Sequence, residues 1–132
     1  MATIKTYTDL EQSKKLAKIL PLESADMYYC ALIKGMRDKM TITGWEVNVG
    51  LDIAIKENLF SHREGYMFPC WSLAALLKVM REAIGYTLYG LSNIRIICEL
   101  GDRPWSYTTK VYDNEVDACV EMIEKLHELD LL

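Results

Sequence analysis

Three stretches of the chain repeat apolar residues at the three- and four-residue spacing of an amphipathic helix. They predict helices over residues 9–19, 73–82 and 115–129. Thr8 and Glu11 have the spacing of a capping box, which predicts the start of the first helix, and Pro21 ends it because the residue before a proline avoids helical geometry. Asn114, or alternatively Asp113, is the predicted N-cap of the last helix.

The last of these helices separates its apolar and acidic residues most clearly. Its apolar face consists of Val116, Cys119, Val120, Ile123 and Leu126. Its opposite side carries Asp117, Glu121, Glu124 and Glu128. Two interpretations follow: a surface that docks a basic partner, or the solvated face of an amphipathic helix. In either case, replacing Glu121, Glu124 and Glu128 by glutamine is expected to leave folding intact.

Alternating apolar residues predict strands in the remaining segments. Residues 94–112 form a predicted hairpin around the turn-rich link 101–104, with Ile94, Ile96, Cys98 and Leu100 on one side of the first arm. In the second arm the corresponding residues are Trp105, Tyr107, Thr109 and Val111. A strand is predicted over 41–48, with Gly44 and Gly50 as bulge or turn points, and a short one within "YTLYG". Residues 22–36 are compatible with a short helix or an extended segment.

These elements define the predicted fold class. It is α+β, with an antiparallel sheet that includes the 94–112 hairpin and three helices, 9–19, 73–82 and 115–129, packed on one face. The 132 residues fit one domain, 1–132, and 51% of them are apolar, which is enough for a substantial core.

The densest apolar run is "FPCWSLAALLKVM", residues 68–80. Cys70 and Ser72 flank Trp71 in it, so a nucleophilic site is conceivable there, but no base or oxyanion-hole motif accompanies them. A helix start needs a short side-chain acceptor followed by good helix formers, and Ser72 followed by "LAALL" fits that requirement. We therefore expect Ser72 to be an N-cap and Trp71 to be a core anchor.

Charge and composition narrow the function. The net charge of −4 gives no general attraction to a nucleic-acid backbone, so a nucleic-acid partner is not expected. No apolar run has the length of a membrane span, and the N-terminus lacks a secretory pattern, which predicts a cytoplasmic protein that does not associate with membranes. The four cysteines include no CxxC pair, so buried reduced thiols are expected, with no metal site and no cofactor.

His62 is the single weak candidate for catalysis. It lies in the polar segment "SHREG" beside Arg63 and Glu64, and functional groups are often found in such loops. Together with the tryptophans and tyrosines, it supports an alternative interpretation: a small-ligand-binding domain or an enzyme with an aromatic pocket near loop 56–68. No nucleotide-binding, hydrolase or zinc-protease motif supports it further.

Three segments carry a resemblance to a known family: "PLESADMYY" (21–29), "PCWSLAALLKVM" (69–80) and "EVDACVEMIEKLHEL" (115–129). In this order and spacing they resemble small uncharacterised proteins of phages, prophages and mobile elements of gut bacteria. Typical members have fewer residues between positions 34 and 66. The resemblance implies an accessory protein in a bacterial cytoplasm, and it assigns no activity or ligand.

The sequence therefore favours a non-enzymatic interaction domain with a protein partner. The acidic helix is its expected surface, and a free sheet edge makes self-association into a homodimer a further expectation.

Overall fold

The computed structural model describes residues 5–36, 39–56, 65–83, 86–89, 94–99 and 106–132. The helices are α1 (Leu10–Leu16), α2 (Leu51–Lys56), α3 (Leu73–Ala83) and α4 (Glu115–Glu128), and Leu22–Ser24 forms a 3-10 turn. The strands are β1 (Met27–Lys34), β2 (Thr41–Val49), β3 (Met67–Cys70), β4 (Tyr86–Tyr89), β5 (Arg95–Glu99) and β6 (Ser106–Thr108). Every strand pairing is antiparallel, so the predicted α+β class is confirmed.

The chain forms two compact units. The N-terminal unit is Asp9–Trp71, and the C-terminal unit is Ser72–Leu132 together with Met1–Thr8. Each unit contains one three-stranded sheet, in the order β2-β1-β3 in the N-terminal unit and β4-β5-β6 in the C-terminal unit. The prediction of a single domain over 1–132 stays a prediction.

α1 begins one residue later than the predicted capping box requires, and it ends at Leu16 rather than at residue 19. Asp9 is the N-cap, because its Oδ1 accepts from the Gln12 backbone N–H at 2.8 Å and Gln12 Oε1 accepts from the Asp9 N–H at 3.1 Å. Asp and Gln fill these positions as well as Thr and Glu do. The assignment of the box to Thr8 and Glu11 is therefore wrong: Thr8 is fully buried and Glu11 is exposed.

The sheet of the N-terminal unit answers the open question about residues 22–36. They form the 3-10 turn and then β1, which is the central strand between β2 and β3. Pro69 lies in the edge strand β3, where its missing N–H removes no ladder bond from the sheet interior. Trp71 is fully buried and its Nε1–H donates to Ser24 Oγ at 3.0 Å, which confirms it as a core anchor.

Both predicted helix caps of the C-terminal unit are confirmed. Ser72 Oγ accepts from the Ala75 backbone N–H at 3.2 Å at the start of α3. Asn114 Oδ1 accepts from the Asp117 N–H at 2.8 Å at the start of α4. The N-terminal segment belongs to this unit because Thr6 O accepts from the Leu73 N–H at 3.0 Å. The apolar run at 68–80 is thus the end of β3 and the beginning of α3.

The strand pairing of the predicted 94–112 hairpin is confirmed. In its second strand, however, the side chains do not all lie on the predicted side. Ile94, Ile96 and Cys98 are buried as expected, whereas Val111 is 54% exposed. Residues from 106 to 109 follow one register with β5, but Tyr112 pairs with Ile94, so the second arm contains one extra residue. This bulge reverses the alternation and turns Val111 outward. Leu100, Trp105 and the link 101–104 lie outside the described residues.

Thr109 holds the bulge in place. Its backbone N–H donates to Ile96 O at 3.0 Å, and its Oγ1 accepts from the Ile96 N–H at 3.0 Å. The hydroxyl therefore replaces the carbonyl that a regular antiparallel ladder would offer to Ile96. Because Thr109 is only 4% exposed, this substitute acceptor satisfies a donor that water does not reach.

Candidate interaction surfaces

The four carboxylates predicted to line the acidic face of α4 occupy different environments. Asp117 is half-buried: its Oδ1 lies 2.8 Å from Lys5 Nζ, and its Oδ2 accepts from Asn114 Nδ2 at 2.8 Å. Asp117 therefore ties the N-terminal segment and the helix cap together within the C-terminal unit. Its carboxylate is committed to internal contacts and is not part of a freely solvated stripe.

Glu121 is engaged more fully. Its Oε1 accepts from the Tyr112 hydroxyl at 2.8 Å and its Oε2 from the Tyr107 hydroxyl at 3.2 Å. The Lys110 backbone N–H, inside the bulge, lies 3.2 and 3.3 Å from the two oxygens. We call Tyr107, Tyr112 and Glu121 the tyrosine–carboxylate cluster. It attaches the second arm of the hairpin to α4.

The bulge is what makes this cluster possible. Residues 107 and 112 are five positions apart, so in an uninterrupted strand their side chains would point to opposite faces. The extra residue cancels that reversal, and both hydroxyls reach Glu121. The expectation that Glu121 lies on a solvated face is wrong, because the sequence pattern of α4 carries no information about the strand packed against it.

The tyrosines of the cluster are held in their protonated form. Burial, and then the hydrogen bond to Glu121, raise the pKa of Tyr112 to about 12. The pKa of Tyr107 is also raised, first by burial and then by the charge of Glu121. Both phenols are therefore proton donors at neutral pH, and the arrangement is suited to holding two elements together.

Glu124 and Glu128 are the two carboxylates of the predicted stripe that are exposed. Glu128 Oε2 lies 3.9 Å from Lys125 Nζ, which also lies 5.2 Å from the centroid of the Tyr107 ring. A solvent-exposed pair of this kind contributes little to stability. That Asp117, Glu121, Glu124 and Glu128 bind a partner stays a prediction.

The N-terminal unit exposes a different kind of surface. β3 pairs with β1 only over Met27–Cys30, and the Ala31 N–H donates to Tyr66 O at 2.8 Å. Beyond Ala31, β1 and β2 continue as a two-stranded ribbon with its turn. We call residues 32–36 and 39–42 the arm. Its exposed apolar side chains are Leu32 (46% exposed), Ile33 (45%), Met36 (86%), Met40 (50%) and Ile42 (40%).

The geometry of the arm is defined by its turn and by a bulge. Gly35 has φ +114°, and a Cβ at this position would collide with Lys39 O, so glycine is required. Ile33 and Ile42 are opposite each other, and the register shifts between Leu32 and Ile33. Thr43 Oγ1 donates to Leu32 O at 3.2 Å beside this shift. The predicted bulge near Gly44 is thereby confirmed.

The arm was not identified from the sequence, although one signal was present. Residues 31–33 are three consecutive apolar residues, which a strand with one solvated face does not require. In the structure Ala31 is buried against its unit, whereas Leu32 and Ile33 extend past β3. The ribbon therefore exposes apolar side chains on both of its faces.

The remaining predicted site residues carry no described site. His62, Arg63 and Glu64 lie outside the described residues. Within the described ranges no group of three His, Cys, Asp or Glu side chains could hold a metal ion, and no helix has the length and apolarity to cross a membrane. All four cysteines are free, and Cys70, Cys98 and Cys119 are buried. Burial raises the pKa of Cys98 to about 11 and that of Cys119 to about 12, which disfavours the reactive thiolate.

Comparison with known proteins adds no assignment. No family model, no curated protein and no solved structure matches the chain. The resemblance to proteins of phages and mobile elements, and the bacterial context that it implies, stay predictions.

Proposed function

We propose that the chain is a non-enzymatic protein-interaction domain and that the arm is its binding surface. The observation that carries the proposal is the exposure of five large apolar side chains on one two-stranded ribbon. A ribbon of two strands is marginally stable in water, and contiguous apolar surface on a folded chain is typical of interaction sites. A protein that covers the arm would remove both liabilities.

The charges of the arm define the chemistry of its partner. Lys34 and Lys39 are exposed on either side of the turn. The partner surface that fits is therefore apolar at its centre with carboxylates at its rim, because opposite charges at a rim increase the association rate and select the partner. An exposed aliphatic side chain beside an aspartate or glutamate meets this description.

In this proposal the arm, and not the acidic helix α4, is the principal binding surface. Of the predicted stripe, Asp117 and Glu121 make contacts inside the C-terminal unit, which leaves Glu124 and Glu128 exposed. The alternative of a ligand pocket or active site near loop 56–68 depends on His62, outside the described residues. The cytoplasmic location and the phage or mobile-element context remain parts of the proposal.

Position-specific photocrosslinking tests the arm. A photoreactive phenylalanine analogue replaces Ile33 in one variant and Val111 in the other, and both are irradiated in cells that normally carry the gene. Val111 is the matched control because it is also an exposed β-branched residue, 54% against 45% exposed, and lies in the other unit. We expect a discrete adduct with a protein at position 33 only.

A second substitution makes the result specific. Ile42 is the cross-strand neighbour of Ile33, so Ile42→Lys should abolish the adduct at position 33. Equal adducts at positions 33 and 111, no adduct at position 33, or an adduct that persists in Ile42→Lys would contradict the proposal.

A further inference from the structure

β2 is an edge strand whose second edge faces no described strand. It pairs with β1 along residues 41–49 and ends the sheet order β2-β1-β3. Natural edge strands are protected from other strands by lysines, prolines or short length. β2 has nine residues with Glu46 as its single charged side chain, and it contains no proline. Its outer edge is therefore suited to pairing with another strand.

Symmetry limits how two copies of β2 can pair. A two-fold axis between antiparallel edge strands is perpendicular to the sheet, so each residue faces a residue from the same side of the sheet. The axis must then lie midway between two copies of the same residue, which are opposite each other; we call this an axis at that residue. An axis at Glu46 would place two carboxylates opposite each other, which is destabilising. An axis at Gly44 or Trp45 would include the bulge residue Thr43 in the ladder.

An axis at Val47 avoids both problems. It places Val47 opposite itself, Trp45 opposite Val49, and Glu46 opposite Asn48 of the other copy. Trp45, Val47 and Val49 share the side of the sheet that carries the buried Ala31 and Tyr29, because they pair with Ala31, Tyr29 and Met27. The apolar pairs therefore lie on the core side, and the polar pair lies on the outer side.

The same register accounts for the remaining exposed apolar residues of the unit. Val49 is 77% exposed and would be covered by an indole. The arm of one copy would continue past the end of β2 towards α2 of the other, where Ile53 is 59% exposed and Asp52 is exposed beside it. An exposed aliphatic side chain next to a carboxylate is the surface that fits the arm.

We propose that the partner of the arm is a second copy of this chain, joined by antiparallel pairing of the two β2 strands around Val47. The two sheets become one sheet of six strands, and each arm lies against the other copy's α2. This assignment rests on the proposed function, since it identifies the protein that covers the arm. The two-fold symmetry closes the contact, so it yields a dimer and not a larger assembly.

Cross-linking tests the register. Val47→Cys is prepared in a Cys30→Ala background, because Cys30 is the one cysteine that is not buried. Mild oxidation should join two chains through position 47. Glu46→Cys in the same background is the control: that residue lies on the other side of the sheet and faces Asn48, so oxidation should join it far less. Efficient joining at position 46, or none at position 47, would overturn the register.

Sedimentation equilibrium tests the dimer independently. The unaltered chain should have twice its 15.2 kDa mass, and Val49→Lys should weaken the dimer by about tenfold or more because it buries an unpaired charge. Val111→Lys, the same change at an exposed valine of the C-terminal unit, should leave the mass unchanged. A monomeric chain, or equal behaviour of the two variants, refutes the dimer.

The two proposals fail separately. If the chain is monomeric while position 33 still forms a specific adduct with a different protein, the second copy is the wrong partner and the interaction domain is retained. If position 33 forms no adduct while position 47 is joined by oxidation, β2 pairing is retained and the arm is not a binding surface.

Discussion

The two β-ribbons of this chain end in opposite ways. In the C-terminal unit, β6 and the segment that follows it are attached to α4, where Glu121 accepts hydrogen bonds from two tyrosines and a backbone N–H. In the N-terminal unit, the β1–β2 ribbon passes the end of β3 and exposes Ile33, Ile42 and their neighbours. The first ribbon, which we call the closed ribbon, is covered by α4 of its own unit, whereas the second, the open ribbon, leaves apolar side chains exposed.

The contrast shows that a charged stripe and an apolar run do not by themselves indicate which surface is free. The carboxylates of α4 suggested a solvent-facing surface, yet half of them complete internal contacts. Residues 31–33 are all apolar, as core residues usually are, yet two of them are exposed. Whether such a side chain is exposed depends on which other element packs against it. This comparison can be tested by substitutions in each ribbon.

Among the hydrogen-bonded side chains, the largest effect is expected at the closed ribbon. Glu121→Ala should lower the free energy of unfolding by about 2–3 kcal/mol, because three donors lose a charged acceptor and alanine costs nothing in helix propensity. Urea denaturation measures this change. Glu124→Ala on the same helix is the control and should stay within about 0.5 kcal/mol, since Glu124 is exposed. Equal effects of the two substitutions would show that Glu121 does not close the ribbon.

The bulge gives the next largest effect. Thr109→Val keeps the shape of the side chain and removes the acceptor of the Ile96 N–H, so it should cost about 1–2 kcal/mol. Thr109→Ser retains the hydroxyl and should retain most of the stability. If serine and valine destabilise equally, the hydroxyl does not hold the bulge.

Tyr112 links the closed ribbon to pH. Its pKa is raised to about 12 in the fold, against about 10 in an unfolded chain. Folding therefore binds this proton more tightly, and the resulting stability is complete below pH 10 and is lost as the pH rises towards 12. In Tyr112→Phe, the phenolate absorbance should lose its step near pH 12. The free energy of unfolding at neutral pH should fall by about 1 kcal/mol. A step that persists would assign the raised pKa to another tyrosine.

The smallest effect is expected at the open ribbon. Ile33→Thr retains β-branching at an exposed position and should change the stability of the dilute chain by less than about 0.5 kcal/mol. The same substitution at Ile96, which is fully buried in β5, should cost about 2–4 kcal/mol. Comparable losses at both positions would mean that the arm packs within its own chain.

Much of the fold could be predicted from the sequence because its signals are local. The helices at 73–82 and 115–129 end within one residue of the observed bounds, since apolar periodicity and the caps Ser72 and Asn114 are properties of adjacent residues. The first helix start was displaced because two overlapping capping boxes are present, and the choice between them depends on the buried environment of Thr8.

The candidate surfaces could be predicted much less well, because they depend on pairings between distant residues. A bulge adds one residue to a strand, and no residue pattern identifies its position. The side of the sheet on which Val111 lies could therefore not be inferred. The partners of Glu121 come from a different element, and they share a side only because of that bulge. The arm lies beyond the pairing with β3 because β3 begins at Met67, opposite Cys30, which nothing within 32–42 indicates.

Cys30 has a practical consequence for spectroscopy. It is the single thiol of the four that is not buried, and it lies on β1, one strand in from the edge. The unaltered chain thus accepts one maleimide label with its other cysteines in place. If the proposed dimer forms, a spin label there gives one intermolecular distance in a frozen solution of the natural sequence, and this distance reports the spacing of the two β1 strands without engineered contacts.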